Sequence, residues 1–377
     1  MKFKQVKIED VADVTKLAGF EFTKYIKYNE TGEIIALRAI NIRNNTLDLT
    51  DIKRIDKSVS ELLIRSKLYK DDIILTYTGN GAGAAAIIDE NDKYHLAPNI
   101  CKITPKEIDP YYLYTYITSN KFQKEISNNI GGSGQPTIPM KTIRVLPISV
   151  PSRCNQTKIA KILKNIDDKI KLNNEINNNL YEISKRLLLK YLDENKSSDE
   201  INISKFINIF TGKKNANETS KTGKYKFFSC APESLLSDTY LCDSAAIIVA
   251  GNGAYTGRTR FYDGKFELYQ RTYGLTLKDG FEKNNIYGLY VFMKTIFEPD
   301  KMGGTHGSAI PYIVLSDLTD YKLKYNKIEF DKFSNLVSGN IKLIQENEKS
   351  NEKLSQLRDT LLPKLLNGEI DLGNIEI

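Results

Sequence analysis

The sequence predicts an α+β protein: two tandem mixed α/β domains separated by two long helices that form an antiparallel intramolecular coiled coil. Three observations predict it. The stretches 157-TKIAKILKNIDDKIKLNNEINNNLYEISKRLLLKYL-192 and 331-DKFSNLVSGNIKLIQENEKSNEKLSQLRDTLLPKLL-366 both carry heptad rows. Each follows a segment of short β-branched runs broken by glycine loops. Matching seam positions (159 and 333, 180 and 354, 187 and 361) are each 174 apart, so the chain is a tandem duplication.

In the first helix Ile159, Ile166, Asn173, Leu180 and Leu187 form one row, and Ile162, Lys169, Ile176 and Ile183 a second, three residues on. The second helix repeats this with Phe333, Asn340, Asn347, Leu354 and Leu361, beside Leu336, Leu343, Ser350 and Leu357. Asn173 and Asn347 share one mid-seam position. Polar residues there weaken a coiled coil but fix its register. The expectation is antiparallel pairing with a pseudo-twofold axis near these two asparagines. At ~1.5 Å per residue such a helix is roughly 54 Å long.

In chain order, residues 1–150 form the first mixed domain. Val6–Leu17 reads as a short strand and turn, and Ile34–Ile42, Ile73–Tyr77, Ala85–Ile88 and Ile143–Val150 as strands. Tyr111–Asn128 has helical spacing. Residues 151–195 form the central helical region, with Ser152 or Asn155 as N-cap. Polar residues 193–200 close it. Residues 196–327 repeat the first domain and 328–377 the helix. The loop 79-GNGAG matches 251-GNGAYTG, and 131-GGSGQPTIP matches 303-GGTHGSAIP, both at an offset of 172, which implies a two-residue insertion before the second helix.

Composition narrows the chemistry. The chain has 377 residues, 41% apolar and 27% charged, and a net charge of +7 that points toward polyanions. No apolar run reaches the ~20 residues of a membrane span. The start, MKFKQVKIEDVADV, lacks the apolar core of a secretion signal. Four scattered cysteines and two histidines make no zinc pattern, so reduced thiols and a cytoplasmic location are expected. The GNG loops lack the third glycine and following helix of a dinucleotide fingerprint, and a strand–turn–strand hairpin fits them better. No P-loop, HExxH, Asp/Asn-Pro-Pro-aromatic tetrapeptide or PD…ExK core is present. The chain is expected to be non-catalytic and to hold no metal or cofactor.

Polar loops then carry the binding reading, because Arg pairs with guanine, Gln and Asn with adenine, and Lys and Arg with phosphates. In the second domain the candidates are Asn252, Tyr255, Arg258, Arg260, Gln270 and Arg271, with Lys213 and Lys214 of 212-GKK and His306 and Ser308 of 306-HGS. In the first they are Arg38, Asn41 and Arg43 on a strand, Asn80 in the glycine loop, and Gln135 and Thr137 of 135-QPT.

The stretches 158-KIAKILKNIDDKIKLNNEINNNL, 357-LRDTLLPKLLNGEIDL, 131-GGSGQPTIP, 212-GKK, 223-GKYKFFSC and 268-LYQRTYGL resemble the specificity (S, HsdS) subunit of type I restriction–modification systems across nearly the full length. The resemblance implies two target-recognition domains, each reading half of a split site in double-stranded DNA, with the helix pair as spacer. It implies two modification (M) subunits and, in the full complex, restriction (R) subunits as partners, without an obligate homodimer or membrane. S-adenosylmethionine, ATP and Mg would be used by those partner subunits, not by this chain. Asn340, Ser350 and Gly339 depart from the apolar seam of the first helix. The competing readings are a scaffold or DNA mimic that resembles this subunit, and a methyltransferase or nuclease with a nucleotide site in the GNG loops.

Overall fold

The computed structural model describes residues 2–131, 134–297 and 310–373. It divides the chain into two units. One comprises residues 1–170 with 353–377, the other residues 171–352. Each unit therefore contains part of both long helices.

The first unit is built on a four-stranded sheet ordered Ala12–Lys16, Ile100–Pro105, Ile73–Thr76, Ala85–Ile87, all neighbours antiparallel. Alternation splits its central strand. Ile73 and Leu75 join one core with Tyr112, Phe122, Ile159, Leu163 and Leu365, while Ile74 joins a second with Leu37, Ile55 and Leu96. Both sheet faces are covered, which is why IILT reads as an unbroken apolar run. The second core lies under a further sheet ordered Lys53–Ile55, Ile34–Leu37, Tyr94–Leu96, Lys67–Leu68. Lys4–Lys7 pairs with Pro147–Val150 and brings the chain back to the start of the long helix.

The second unit repeats this plan. Its sheet runs Ile207–Thr211, Thr272–Leu277, Cys242–Ala250, Thr259–Leu268, then adds Tyr225–Phe228 and Leu235–Ser237. Glu200–Asn202 pairs with Lys322–Lys324 as Lys4–Lys7 does with Pro147–Val150. The core holds Leu188, Tyr191, Phe206, Ile247, Leu289, Phe330, Phe333 and Val337.

Several elements depart from the sequence reading. Tyr111–Asn128 is two helices, Pro110–Thr118 and Asn120–Asn128, because Ser119 leaves the helix at ψ 147° and caps the next one through Phe122 N–H. Ile143 sits in a helix, Met140–Val145, and only Pro147–Val150 is strand. Val6–Leu17 contains two strands and a helical turn. Ile34–Ile42 is a strand only to Leu37, then a 3-10 turn.

The long helices are Arg153–Glu194 and Lys327–Asn367. Ser152 caps the first, its hydroxyl accepting from Asn155 N–H at 3.4 Å. The first predicted seam row holds: Ile159, Ile166 and Asn173 are buried. The second does not, since Ile183 is 50% exposed and Leu336 64%. The row that packs lies four residues on, not three: Leu163, Ile170, Asn177, Ser184 and Tyr191, copied as Val337, Ile344, Asn351, Arg358 and Leu365. A 3.6-residue turn sets both spacings beside the first row, and the domain core that covers the helix selects between them.

Pairing is antiparallel within each unit. In the first, Arg358 Nη1 meets Asp167 Oδ1 at 3.0 Å, and Tyr111 donates to the other Asp167 oxygen at 2.5 Å. In the second, Asn173 donates to Asn351 Oδ1 at 2.7 Å and Asn347 to Asn177 Oδ1 at 2.8 Å. Asn351 donates onward to Asn174 at 2.9 Å, and Asn340 to Ser184 at 3.1 Å. The partners of Asn173 and Asn347 lie four residues beyond the equivalent asparagine, so the ladder has local two-fold symmetry about Glu175 and Lys349.

Asn173 is 1% exposed, so truncating its partner strands a buried amide. Asn351→Leu alone is expected to cost about 1–3 kcal/mol in urea unfolding, and Asn173→Leu with Asn351→Leu to regain most of it. A double variant as weak as the single one would show that the cost does not come from the stranded Asn173 amide.

His95, fully buried between the Leu96 and Leu63 carbonyls, has its pKa lowered by burial from 6.5. Its neutral form is the folded one, so its contribution is complete above pH 6.5 and is lost as pH falls through the depressed value. Urea midpoints measured from pH 7.5 downward should fall for the wild type and flatten in His95→Gln below about pH 6.5.

Candidate nucleic-acid interface

The glycine loops are hairpin connections. In the first unit Gly83 N–H donates to the Thr76 carbonyl at 2.9 Å and Ala82 N–H to Gly79 at 2.9 Å. In the second, Gly257 N–H donates to Ala250 at 2.8 Å and Thr256 N–H to Gly253 at 3.1 Å. Gly79 and Gly83 have φ of +103° and +99°, Gly253 and Gly257 +85° and +81°. These are left-handed positions that favour glycine.

A proline segment pins each loop. Gly79 N–H donates to the Pro136 carbonyl at 2.8 Å and Ile138 N–H to Tyr77 at 2.9 Å; Gly253 N–H donates to Pro311 at 2.9 Å and Ile313 N–H to Gly251 at 2.9 Å. These matched bonds correct the repeat arithmetic. The loops correspond at an offset of 174, that of the helices, and the proline segments at 175. The two GNG tripeptides are out of frame with each other, and the inferred two-residue insertion is unnecessary. Asn80 corresponds to Ala254, Gly81 to Tyr255, Ala84 to Arg258, and Gln135 to Ile310.

Asn80 and Gln135 thus stand exposed on adjoining segments of the first unit, with no side-chain hydrogen bond among the described residues. Thr137 bridges backbone to Thr78, and its hydroxyl lies 3.4 Å from that of Thr78. Arg38, Asn41 and Arg43 belong to a different loop. Asn41 is 1% exposed; its amide donates to the Asp48 and Asp51 carbonyls at 2.9 and 2.7 Å and accepts from Arg38 N–H. Both its donors are used inside the loop, so it is corrected from a base contact to a brace. Arg38 grips Asp51 through its carbonyl and carboxylate, both at 2.8 Å. Arg43 is exposed and loosely paired with Asp48 at 3.5 Å, a pair worth little in water. Hydrogen bonds from Thr50 hold the Asp48 carboxyl below its usual range.

In the second unit the candidates divide similarly. Lys214 is internal: its ammonium meets Ser237 and Thr239 at 3.0 and 2.6 Å and Glu267 at 3.5 Å. Gln270 donates to Asn215 at 2.9 Å. Arg260 donates to the Ala231 carbonyl and lies over the Phe228 ring, and burial together with the Arg258 charge lowers its pKa. Arg258 stacks on Tyr255 at 3.9 Å. Lys213 and Arg271 are exposed and have no side-chain partner among the described residues. Asn252 is brought beside the turn that carries Arg271. Cys230 Sγ reaches Asn252 Oδ1 at 3.1 Å and the Arg271 carbonyl at 3.2 Å, and Gly251 N–H donates to that same carbonyl. Any Cβ at Gly251 would stand 2.4 Å from it, so the close approach requires glycine. Sequence reasoning missed Cys230 and Ala231, whose role rests on contacts across the fold. His306 and Ser308 lie outside the described residues.

Residues 1–182 match the family model for the type I restriction modification DNA specificity domain. The chain is 33% identical over 123 residues to the type I restriction enzyme EcoDI specificity subunit of Escherichia coli, across 32% of this chain and 26% of that subunit. It is 23% identical over 304 residues to the MjaIX specificity subunit of Methanocaldococcus jannaschii, across 69% of this chain and 68% of that one. Its fold is that of a type I restriction–modification S subunit from M. genitalium, with a TM-score of 0.62, 18% identity, and coverage of 97% and 96%. No helix among the described residues is long and apolar enough to cross a membrane. On these matches the first 182 residues resemble the type I restriction modification DNA specificity domain, and the chain as a whole is similar to type I specificity subunits.

Proposed function

We propose that this chain is the DNA-reading subunit of a type I restriction–modification complex that acts in the cytoplasm. Each unit presents loops to one half of a split site in double-stranded DNA. The helical regions, residues 151–195 and 328–377, set the spacing between the recognition domains, residues 1–150 and 196–327. They also dock two modification subunits, with restriction subunits joining in the full complex. The chain itself catalyses nothing: S-adenosylmethionine, ATP and Mg serve the partner subunits.

The observation that carries this reading is the pair of matched loops. Both are pinned by the same main-chain bonds, yet one presents Asn80 and Gln135 and the other Tyr255 and Arg258. Two readers of different half-sites require a shared frame with different side chains. Arg258 beside Arg260 supports it further, since like charges close together favour a polyanionic partner.

Two measurements test the proposal. Genomic DNA from cells producing the chain with a modification subunit should carry methylation at a motif split by an unspecified spacer; one short continuous motif would refute the two-reader model. In duplex binding, Arg271→Ala and Lys213→Ala should each weaken affinity for all sequences alike and reduce the salt slope by about 0.9. An unchanged slope would remove these residues from the phosphate contacts.

A further inference from the structure

Among the described residues of the second unit the basic candidates are Arg258, Arg260, Arg271, Lys213 and Lys214, and their surroundings differ. Arg260 is already bonded to the Ala231 carbonyl, and Lys214 to Ser237 and Thr239. Arg271 is exposed and has no side-chain partner among the described residues, which suits it to follow a phosphate. Arg258 alone is held in place without its N–H groups being used. Its guanidinium carbon lies 3.9 Å from the centre of the Tyr255 ring, and it has no side-chain hydrogen bond or ion pair among the described residues. A guanidinium stacked at that distance keeps its plane while its edge stays open for two parallel hydrogen bonds.

The backbone beneath the pair is fixed at four points. Arg258 N–H donates to the Tyr255 carbonyl at 3.0 Å, which closes the turn that brings the two side chains together. Ala250 N–H donates to the Arg258 carbonyl at 3.0 Å. Gly253 N–H and Thr256 Oγ1 both donate to the Pro311 carbonyl, at 2.9 and 2.8 Å. A planar donor held in one orientation on a braced loop meets a pair of acceptors at one fixed place, as base reading requires, whereas a mobile side chain suffices for a phosphate. Guanine offers that pair, O6 and N7, in the major groove.

Resting on the DNA-reading function proposed above, we infer that Arg258, oriented by Tyr255, is a specificity-determining residue that reads one guanine in the half-site of the second unit. The corresponding positions in the first unit are Ala84 and Gly81, so the first half-site has no matching contact from this loop. Tyr255 acts as a positioning residue.

Selection from a randomised duplex pool by the full-length chain tests this, with Arg258→Ala, Arg258→Lys and Tyr255→Leu in parallel. The wild type should select two half-sites. Arg258→Ala should lose one guanine preference in one of them, with roughly 10- to 100-fold weaker binding to the wild-type site, and leave the other half-site intact. That intact half-site shows that the variant is folded. Arg258→Lys keeps the charge without the fork and should lose the same preference; Tyr255→Leu should weaken it. Replacing that guanine by 7-deazaguanine should weaken the wild type and leave Arg258→Ala unchanged. An Arg258→Ala motif identical to that of the wild type, with uniformly lower affinity, makes Arg258 a phosphate contact and overturns the inference while DNA reading stands. A wild type that selects no sequence overturns DNA reading itself.

Discussion

Two antiparallel helices of about forty residues each can slide past one another unless something forbids it, and each one-residue slip shifts them by about 1.5 Å. Leucine and isoleucine seams tolerate such slips because apolar contact is non-directional. An amide does not: Asn173 matches Asn351, and Asn347 matches Asn177, in one register only. In the first unit the Asp167–Arg358 pair, tied also to Tyr111, imposes the same choice. Both domain cores include helix residues (Leu163 and Leu365 in one, Tyr191 and Phe333 in the other), so a register error would disturb both. The polar seam is therefore a constraint on domain packing as much as on the helices.

Elements with a strong local pattern were legible in the sequence. The first heptad row, the strand 73–76, and the hairpin character of the glycine loops follow from periodicity and turn chemistry. The second seam row was not, because spacings of three and four both lie within about 0.6 residue of one helical turn. Residue identity likewise misled the repeat alignment. Two GNG tripeptides attract each other in a sequence comparison, but the frame is set by which glycines take positive φ and which carbonyl pins them. Gly79 therefore aligns with Gly253, not Gly251.

The site was less legible than the fold, for a reason visible in its members. Asn41, Lys214 and Gln270 look like free loop polars until their partners appear: Asp48 and Asp51, Ser237 and Glu267, and Asn215. Some of those partners lie more than twenty residues away in sequence. Arg258, Arg271, Lys213, Asn80 and Gln135 passed the same test, since the described fold makes no use of their hydrogen-bonding ends. Burial and bonding, not residue type, separate the two groups.

The bonds that pin the glycine loops have a consequence of their own. With the exception of the Thr256 hydroxyl they run from main chain to main chain, so they are indifferent to the side chains displayed at 80, 81 and 84 or at 254, 255 and 258. The loop is a socket, and its side chains are exchangeable inserts. On the function proposed above, recoding a half-site demands few compensating changes in the core, and a chain carrying two such sockets can revise one of its words while keeping the other.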